Sequence, residues 1–247
     1  MELKGKVAII TGSSGQLGGR IAIGLGNAGC DCLCHYHNTR QKADEVVRQI
    51  QQTGRKAAAV CADLTDAGQI ETLFAKASEF GTPTILINSA AIFKREKLED
   101  LTFEQARRTL DVNLTAALMT SQALAKIIKA KFGKSEEVVA KIINISAVEG
   151  IRPWAKAAVY CSSKAGLIGA TKELARELAP AICVNSVAPG LVTWPEGIAE
   201  EAKKRILKLI PMGRVAKPED VTAAIIFLLK NDYITGQILN VDGGRVI

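Results

Sequence analysis

At 247 residues, with 48% apolar and 23% charged side chains, the chain can bury a large core without disulfides or a metal. The net charge of +7 comes from Lys and Arg scattered among acids, with no long basic run, so no nucleic-acid partner is expected. No uncharged apolar run reaches the roughly 18 residues of a membrane span. The start MELKGKVAII does not read as a secretory signal, and the six cysteines read as reduced thiols in a cytoplasmic protein.

In chain order, a first apolar strand over residues 7–11 ends in a Gly/Ser turn, and Leu17, Ile21 and Leu25 then recur at helical spacing. Residues 32–36 read as a second strand, along which Cys30, Cys32 and Cys34 alternate and so share one face, poorly placed to bridge each other. His35 and His37 share the other face, without the converging ligands of a metal site. A charged helix over 40–52, a strand over 57–61 and a helix over 70–80 follow. Next come a strand over 84–88, a long helical stretch over 102–131, a strand over 138–145 and a long helix over 155–178. A sixth strand over 182–187, helices over about 197–209 and 218–229, and a last strand near 238–241 complete the chain. This alternation predicts one domain over 1–247: a doubly wound, Rossmann-type α/β fold with a parallel sheet covered by helices on both faces. In such sheets ligands bind beyond the carboxyl ends of the strands, so the chemistry is sought in the loops there.

After the first strand comes a turn of small residues with Gly12, Ser14, Gln16, Leu17 and Gly18, the first group of cofactor candidates. Small side chains let the backbone approach a pyrophosphate, and the helix that follows offers free N–H groups to it. Such turns also serve simply to pack a strand on a helix. At the end of the second strand, NAD enzymes place an acid for the ribose hydroxyls. His37, Asn38, Thr39 and Arg40 include no acid, and a guanidinium suits a 2′-phosphate. NADP(H) is therefore the preferred cofactor and NAD(H) the alternative; Arg40 otherwise opens a solvated helix.

Tyr160 and Lys164, four apart in a helical segment, share one face. A phenol with a pKa of about 10 is a poor acid–base group near neutrality, and a neighbouring ammonium is expected to lower it. So tuned, Tyr160 gives a proton to a carbonyl oxygen as hydride reaches the carbon, and runs the reverse step. Glu149 is a candidate for holding a polar substrate group, or else a solvated loop acid. Trp154 and Trp194 are candidate pocket walls, or plain packing residues. Cys161 points elsewhere on the helix and is not expected to act as a nucleophile.

The ordered set of the Thr11-to-Gly18 turn, Asp63-Leu64, Asn88-Ser89-Ala90-Ala91, Asn113, Tyr160 with Lys164, Pro189-Gly190 with Thr193, and Val241-Asp242-Gly243-Gly244 resembles the short-chain dehydrogenase/reductase family over essentially the whole chain. The resemblance implies that Asp63 and Leu64 border the adenine, and that Asn88, Ser89 and Ala90 lie along the cofactor. It implies that Lys164 holds the nicotinamide ribose as well as tuning Tyr160, and that Asn113 helps keep a water in a proton relay. Pro189, Gly190 and Thr193 would meet the nicotinamide. A substrate-covering segment over about 194–209 and a homo-oligomer, tetramer or dimer, are implied as well.

Departures from the pattern matter. Gln16 stands where the family usually has glycine, and Asn88-Ser89-Ala90-Ala91 where Asn-Asn-Ala-Gly is common. The catalytic serine, about thirteen residues before the tyrosine, falls on Ala147, with Ser146 the adjacent hydroxyl. Loss of such a donor costs roughly a hundred- to a thousandfold in rate. Either Ser146, the substrate or a water supplies the group, or activity is weak. Gln16 and the strand end at 35–37 resemble pteridine reductases, and the remaining body 3-oxoacyl-carrier-protein reductases, whose acidic carrier suits a basic surface. The leading expectation is an NADP(H)-dependent carbonyl or imine reductase acting on a small molecule or an acyl thioester. The alternatives are an NAD(H)-dependent alcohol dehydrogenase and a weakly active NADP-binding sensor or scaffold.

Overall fold

A computed structural model of the protein describes residues 1–194 and 197–247. The strands β1 (Val7–Ile10), β2 (Asp31–Tyr36), β3 (Ala57–Cys61), β4 (Pro83–Asn88), β5 (Ala140–Ile145), β6 (Ile182–Pro189) and β7 (Ile238–Val241) form one parallel sheet in the order β3-β2-β1-β4-β5-β6-β7. Between them run the helices α1 (Gln16–Asn27), α2 (Arg40–Gln51), α3 (Ala67–Ser78), α4 (Phe103–Leu110), α5 (Ala116–Phe132), α6 (Ala158–Glu177), α7 (Glu200–Leu207) and α8 (Pro218–Lys230).

Strand alternation divides the core into two layers. Ala8 and Ile10 of β1 pack with Ile21 and Leu25 of α1, Val47 and Ile50 of α2, and Ile225 and Leu228 of α8. Ile9 faces the other way, toward Leu73 and Phe74 of α3, Leu124 and Ile128 of α5, and Ala175 of α6. Every residue of β1, β2, β4, β5 and β6 is buried, so these strands read as near-continuous apolar runs. Cys30, Cys32 and Cys34 lie together in the first layer as free thiols.

The stretch read as helical over 102–131 is not one α-helix. Thr102 and Gln105 close a capping box that starts α4, with N–H···O distances of 3.2 and 3.1 Å. A π turn, Asp111–Thr115, then separates α4 from α5, and such turns are frequent at functional sites. Here the turn carries Asn113 into the interior, where it is buried. The helix read over 197–209 is the shorter α7. Within the segment expected to cover the substrate, Pro195 and Glu196 lie outside the described residues. Among the described residues, no helix is long and apolar enough to cross a membrane.

The sheet order reverses between β1 and β4: the chain leaves β1 toward β2 on one side and returns through β4 on the other. Loops after these two strands therefore diverge, and a crevice opens at their carboxyl ends.

Candidate active site

That crevice is a cleft of about 730 Å³. Its floor is the turn after β1, held from two sides. The Thr11 hydroxyl accepts the N–H groups of Ser89 and Ala90, at 2.9 and 3.0 Å, tying this turn to the one after β4. The buried His35 ring bridges toward β3: its Nδ1 accepts the Gly12 N–H at 3.0 Å, so the proton sits on Nε2, 2.9 Å from the Ala62 carbonyl. Burial pushes the pKa of His35 down to about 4, which keeps the ring neutral in this bridging tautomer. At Gly18 a Cβ would stand 2.3 Å from the Gly12 carbonyl oxygen, so only glycine lets α1 begin this close to the turn. Gly15, ahead of α1, offers no side-chain cap, which leaves N–H groups of the first turn free for an anion. A close backbone approach, free donors and a helix N-terminus at the switch point fit the pyrophosphate of a dinucleotide.

Gly12, Ser14, Leu17, Gly18, His37, Asn38, Thr39, Asp63, Leu64, Ser89, Ala90, Pro189, Gly190 and Thr193 all line the cleft. Three cofactor candidates do not. Gln16 is outside the lining. Arg40 is exposed and leans on Asp44, Nε to Oδ2 3.4 Å, one turn along α2. Asn88 is turned into the helix layer instead of along the cleft. Its amide N–H groups lie 2.9 Å from Asn144 Oδ1, 3.2 Å from Ser121 Oγ and 3.3 Å from the Ala117 carbonyl, and its Oδ1 accepts from Thr120 at 2.8 Å. A buried amide is drawn to where its donors and acceptors are satisfied, and α5 supplies them.

Sequence reasoning missed Arg108. This α4 residue lines the cleft and reaches Asp63, with both Nη atoms 3.3 Å from Oδ2. Burial works against the charge on Asp63, but hydrogen bonds from Thr65 and Arg108 outweigh it and hold the carboxyl at about 2. Only the tertiary fold brings α4 against the end of β3, so no local pattern announces this pair.

At the catalytic half, α6 presents Tyr160 and Lys164 on one face, both to the cleft. Lys164 Nζ donates to the Ile145 carbonyl at 2.8 Å and lies 5.8 Å from the centre of the Tyr160 ring. Phe93 meets that ring edge-on, centroids 4.8 Å apart. The expected lowering of the phenol pKa by Lys164 is not what this arrangement gives. Burial pushes the Tyr160 phenol well above its usual value, and the nearby Glu149 and Cys161 push the same way. Burial also lowers Lys164, to about 8, with Glu149 opposing.

Ser146 lines the cleft, with its hydroxyl engaged on the sheet side. Its hydroxyl donates to the Val187 carbonyl at 3.2 Å and accepts from the buried Ser186 hydroxyl at 2.6 Å, across β6. Ala147, extended at the end of β5, puts only a methyl at the cleft. Asn113 has no side-chain donor left for a relay. Its amide brackets Ile92, accepting the N–H at 2.7 Å and donating to the C=O at 2.9 Å, and donates to Ser163 Oγ at 3.1 Å. It fixes the loop that carries Phe93. Trp154 is outside the lining, with the Arg245 guanidinium 4.4 Å from its ring centre. Trp194 is likewise outside it, near Lys203. Glu149 is inside, 6% exposed, on the short 3-10 turn Val148–Gly150.

Residues 13–245 match a family described as enoyl-(acyl carrier protein) reductase. The chain is 38% identical to a 3beta-hydroxysteroid dehydrogenase 1 of Eggerthella lenta, over 100% of this chain and 95% of that one. A mutant of a Serratia marcescens short-chain dehydrogenase/reductase shares the fold with a TM-score of 0.90 and 31% identity, covering 100% of both chains. A blue fluorescent protein from a metagenomic library, solved in complex with NADPH, also gives a TM-score of 0.90, at 29% identity over 100% of both chains.

Proposed function

This chain belongs to the short-chain dehydrogenase/reductase family and is an oxidoreductase, and we propose that it moves a hydride between NADP(H) and a carbonyl or imine, with Tyr160 as proton donor and acceptor. One observation carries the reading: half-buried Tyr160, buried Lys164 and the glycine turn line a single cleft at the point where the sheet order reverses.

Gly12, Ser14, Leu17 and Gly18 would hold the pyrophosphate, Asp63 and Leu64 the adenine side, Lys164 the ribose next to the nicotinamide, and Pro189, Gly190 and Thr193 the nicotinamide itself. The bound nicotinamide supplies or accepts the hydride. Tyr160, kept protonated by burial, hands its proton to the substrate oxygen or nitrogen during reduction. Oxidation needs the phenolate, which the Lys164 ammonium favours when it swings from the Ile145 carbonyl toward the ring. With Ser146 committed to β6 and Ala147 carrying no donor, Tyr160 is the chain's main hydrogen-bond partner for the reacting atom. Turnover is then about a hundredfold below that of a site with a second hydroxyl.

The preference for NADP(H) is supported by Asn38 and Thr39 in the cleft, by the lack of an acid at the end of β2, and by the NADPH held in a solved relative. Arg40 reaches a 2′-phosphate by leaving Asp44, a surface pair worth roughly 0.3–0.5 kcal/mol. A cytoplasmic setting, supported by six free cysteines, and a homo-oligomer, tetramer or dimer, supported by the family resemblance, belong to the same reading. A second reading, a weakly active NADP-binding sensor, rests on Ala147 alone.

Initial rates with NADPH and NADH on an acetoacetyl thioester, a dihydropterin, a simple diketone and a 3-ketosteroid test the proposal. Turnover of at least one, with kcat/KM at least tenfold higher for NADPH, is expected. Faster turnover with NADH would reverse the cofactor assignment. Tight NADPH binding with no turnover of any substrate would favour the sensor.

A further inference from the structure

Among the described residues, Glu149 is the one acid lining the cleft beside Tyr160 and Lys164, and nothing in the hydride-transfer scheme uses it. The turn that carries it is pressed onto α6: a Cβ on Gly150 would stand 2.8 Å from the Lys164 carbonyl carbon, so glycine is required there. That contact sets Glu149 beside Lys164 and Tyr160. The same cleft is lined by the apolar Ile92, Phe93, Ala147 and Val192. Its own backbone N–H favours the charged carboxylate. Burial raises its pKa, while the charges of Arg245 and Lys164 hold it down. A buried carboxylate with so few donors is costly, and such groups mark binding or catalytic places.

We propose that Glu149 is a specificity residue of this site, whose carboxylate accepts a hydrogen bond from a neutral donor, a hydroxyl or a ring N–H, carried by the substrate close to the reacting carbon. The two cations in its field disfavour an ammonium there, so the donor is neutral. The pocket thereby selects hydroxylated or N–H-bearing carbonyl and imine compounds over plain ones. The inference rests on the reading of the cleft as a hydride-transfer site.

The test compares matched ligands in wild type, Glu149→Leu and Glu149→Gln. Butane-2,3-diol and butan-2-ol are titrated into the NADPH complex with nicotinamide fluorescence as readout. Acetoin and butanone are compared by kcat/KM with NADPH. Wild type is expected to favour the hydroxyl-bearing member of each pair by about tenfold or more, as for a hydrogen bond to a charged group. In Glu149→Leu the ratio falls to within twofold; Glu149→Gln, which keeps an acceptor oxygen, retains part of it. The Leu variant should melt at or above wild type, since a buried charge is gone. Should Leu fail to fold, the ratio in Glu149→Gln decides. No preference in wild type, or an unchanged ratio in Glu149→Leu, overturns the inference, even where turnover depends on Tyr160. A preference in binding without any turnover supports Glu149 as the acceptor of a neutral donor and rejects the hydride-transfer reading. Absence of NADPH binding rejects both.

Discussion

Lys164 sits wholly buried, and its lowered pKa has a consequence for stability as well as for chemistry. Between about 8, its value in the fold, and its unfolded value near 10.4, the unfolded chain binds a proton that the native protein does not. Stability therefore rises with pH across that window, as the cost of burying the ammonium is relieved. Relative to Lys164→Met, wild type should gain about 2–3 kcal/mol in urea unfolding between pH 7.5 and pH 10.5; no change would mean that Lys164 is not desolvated. The Tyr160–Lys164 pair was legible because a four-residue spacing on a helix fixes a shared face. The directions of Asn88 and Arg40 were not legible, because a side chain at a strand end or helix start follows whichever partners satisfy it. For Asn88 these partners lie on α5 and β5, and for Arg40 the partner is Asp44. Ala147 could be read from position alone, but the commitment of Ser146 to Ser186 could not.

At the scale of elements, the glycine turn and the π turn do the positioning. Gly18→Ala would drive a methyl against the Gly12 carbonyl oxygen, and something in the turn must shift. NADPH affinity should fall at least about tenfold, measured by fluorescence titration, with the rest of the fold intact; unchanged affinity would remove this turn from the cofactor site. The strand pattern was legible because doubly buried strands leave apolar runs. The π turn was not: Asp111 to Thr115 carry no glycine or proline to interrupt the helical pattern. Its cause is tertiary, in the bonds from the Asn113 amide to Ile92 and Ser163.

Across the whole molecule, one buried cation ties the sheet to Met1 and to the segment that follows α8. Lys141 of β5 is fully buried, and its Nζ donates to the Asn231 carbonyl at 2.6 Å and pairs with Asp232 at 2.8 Å. The Met1 ammonium shares the same Asp232 oxygen, also at 2.8 Å. Burial works to raise the pKa of Asp232, but bonds from Lys141 and the N-terminus bring it below its usual value. Its contribution is complete above the unfolded value of about 3.9 and is lost as pH falls through the folded one. Asp232→Ala leaves the Lys141 charge with a carbonyl alone. The loss should be about 1–3 kcal/mol at pH 7, less than for a fully buried pair because Asp232 is half exposed, and should shrink as pH falls below the usual carboxylate range. Equal stability of the two proteins at pH 7 would contradict it.

The sheet order that joins these parts sets where the cleft opens, and the hydride transfer proposed there is coupled to proton transfer from Tyr160. Single-turnover oxidation of bound NADPH, compared in wild type and Tyr160→Phe on the best substrate of the panel, tests this most directly. The rate should fall by about 10²–10⁴ while the NADPH dissociation constant stays within about threefold, because the variant loses only the proton donor. Oxidation at an undiminished rate in Tyr160→Phe would contradict the account.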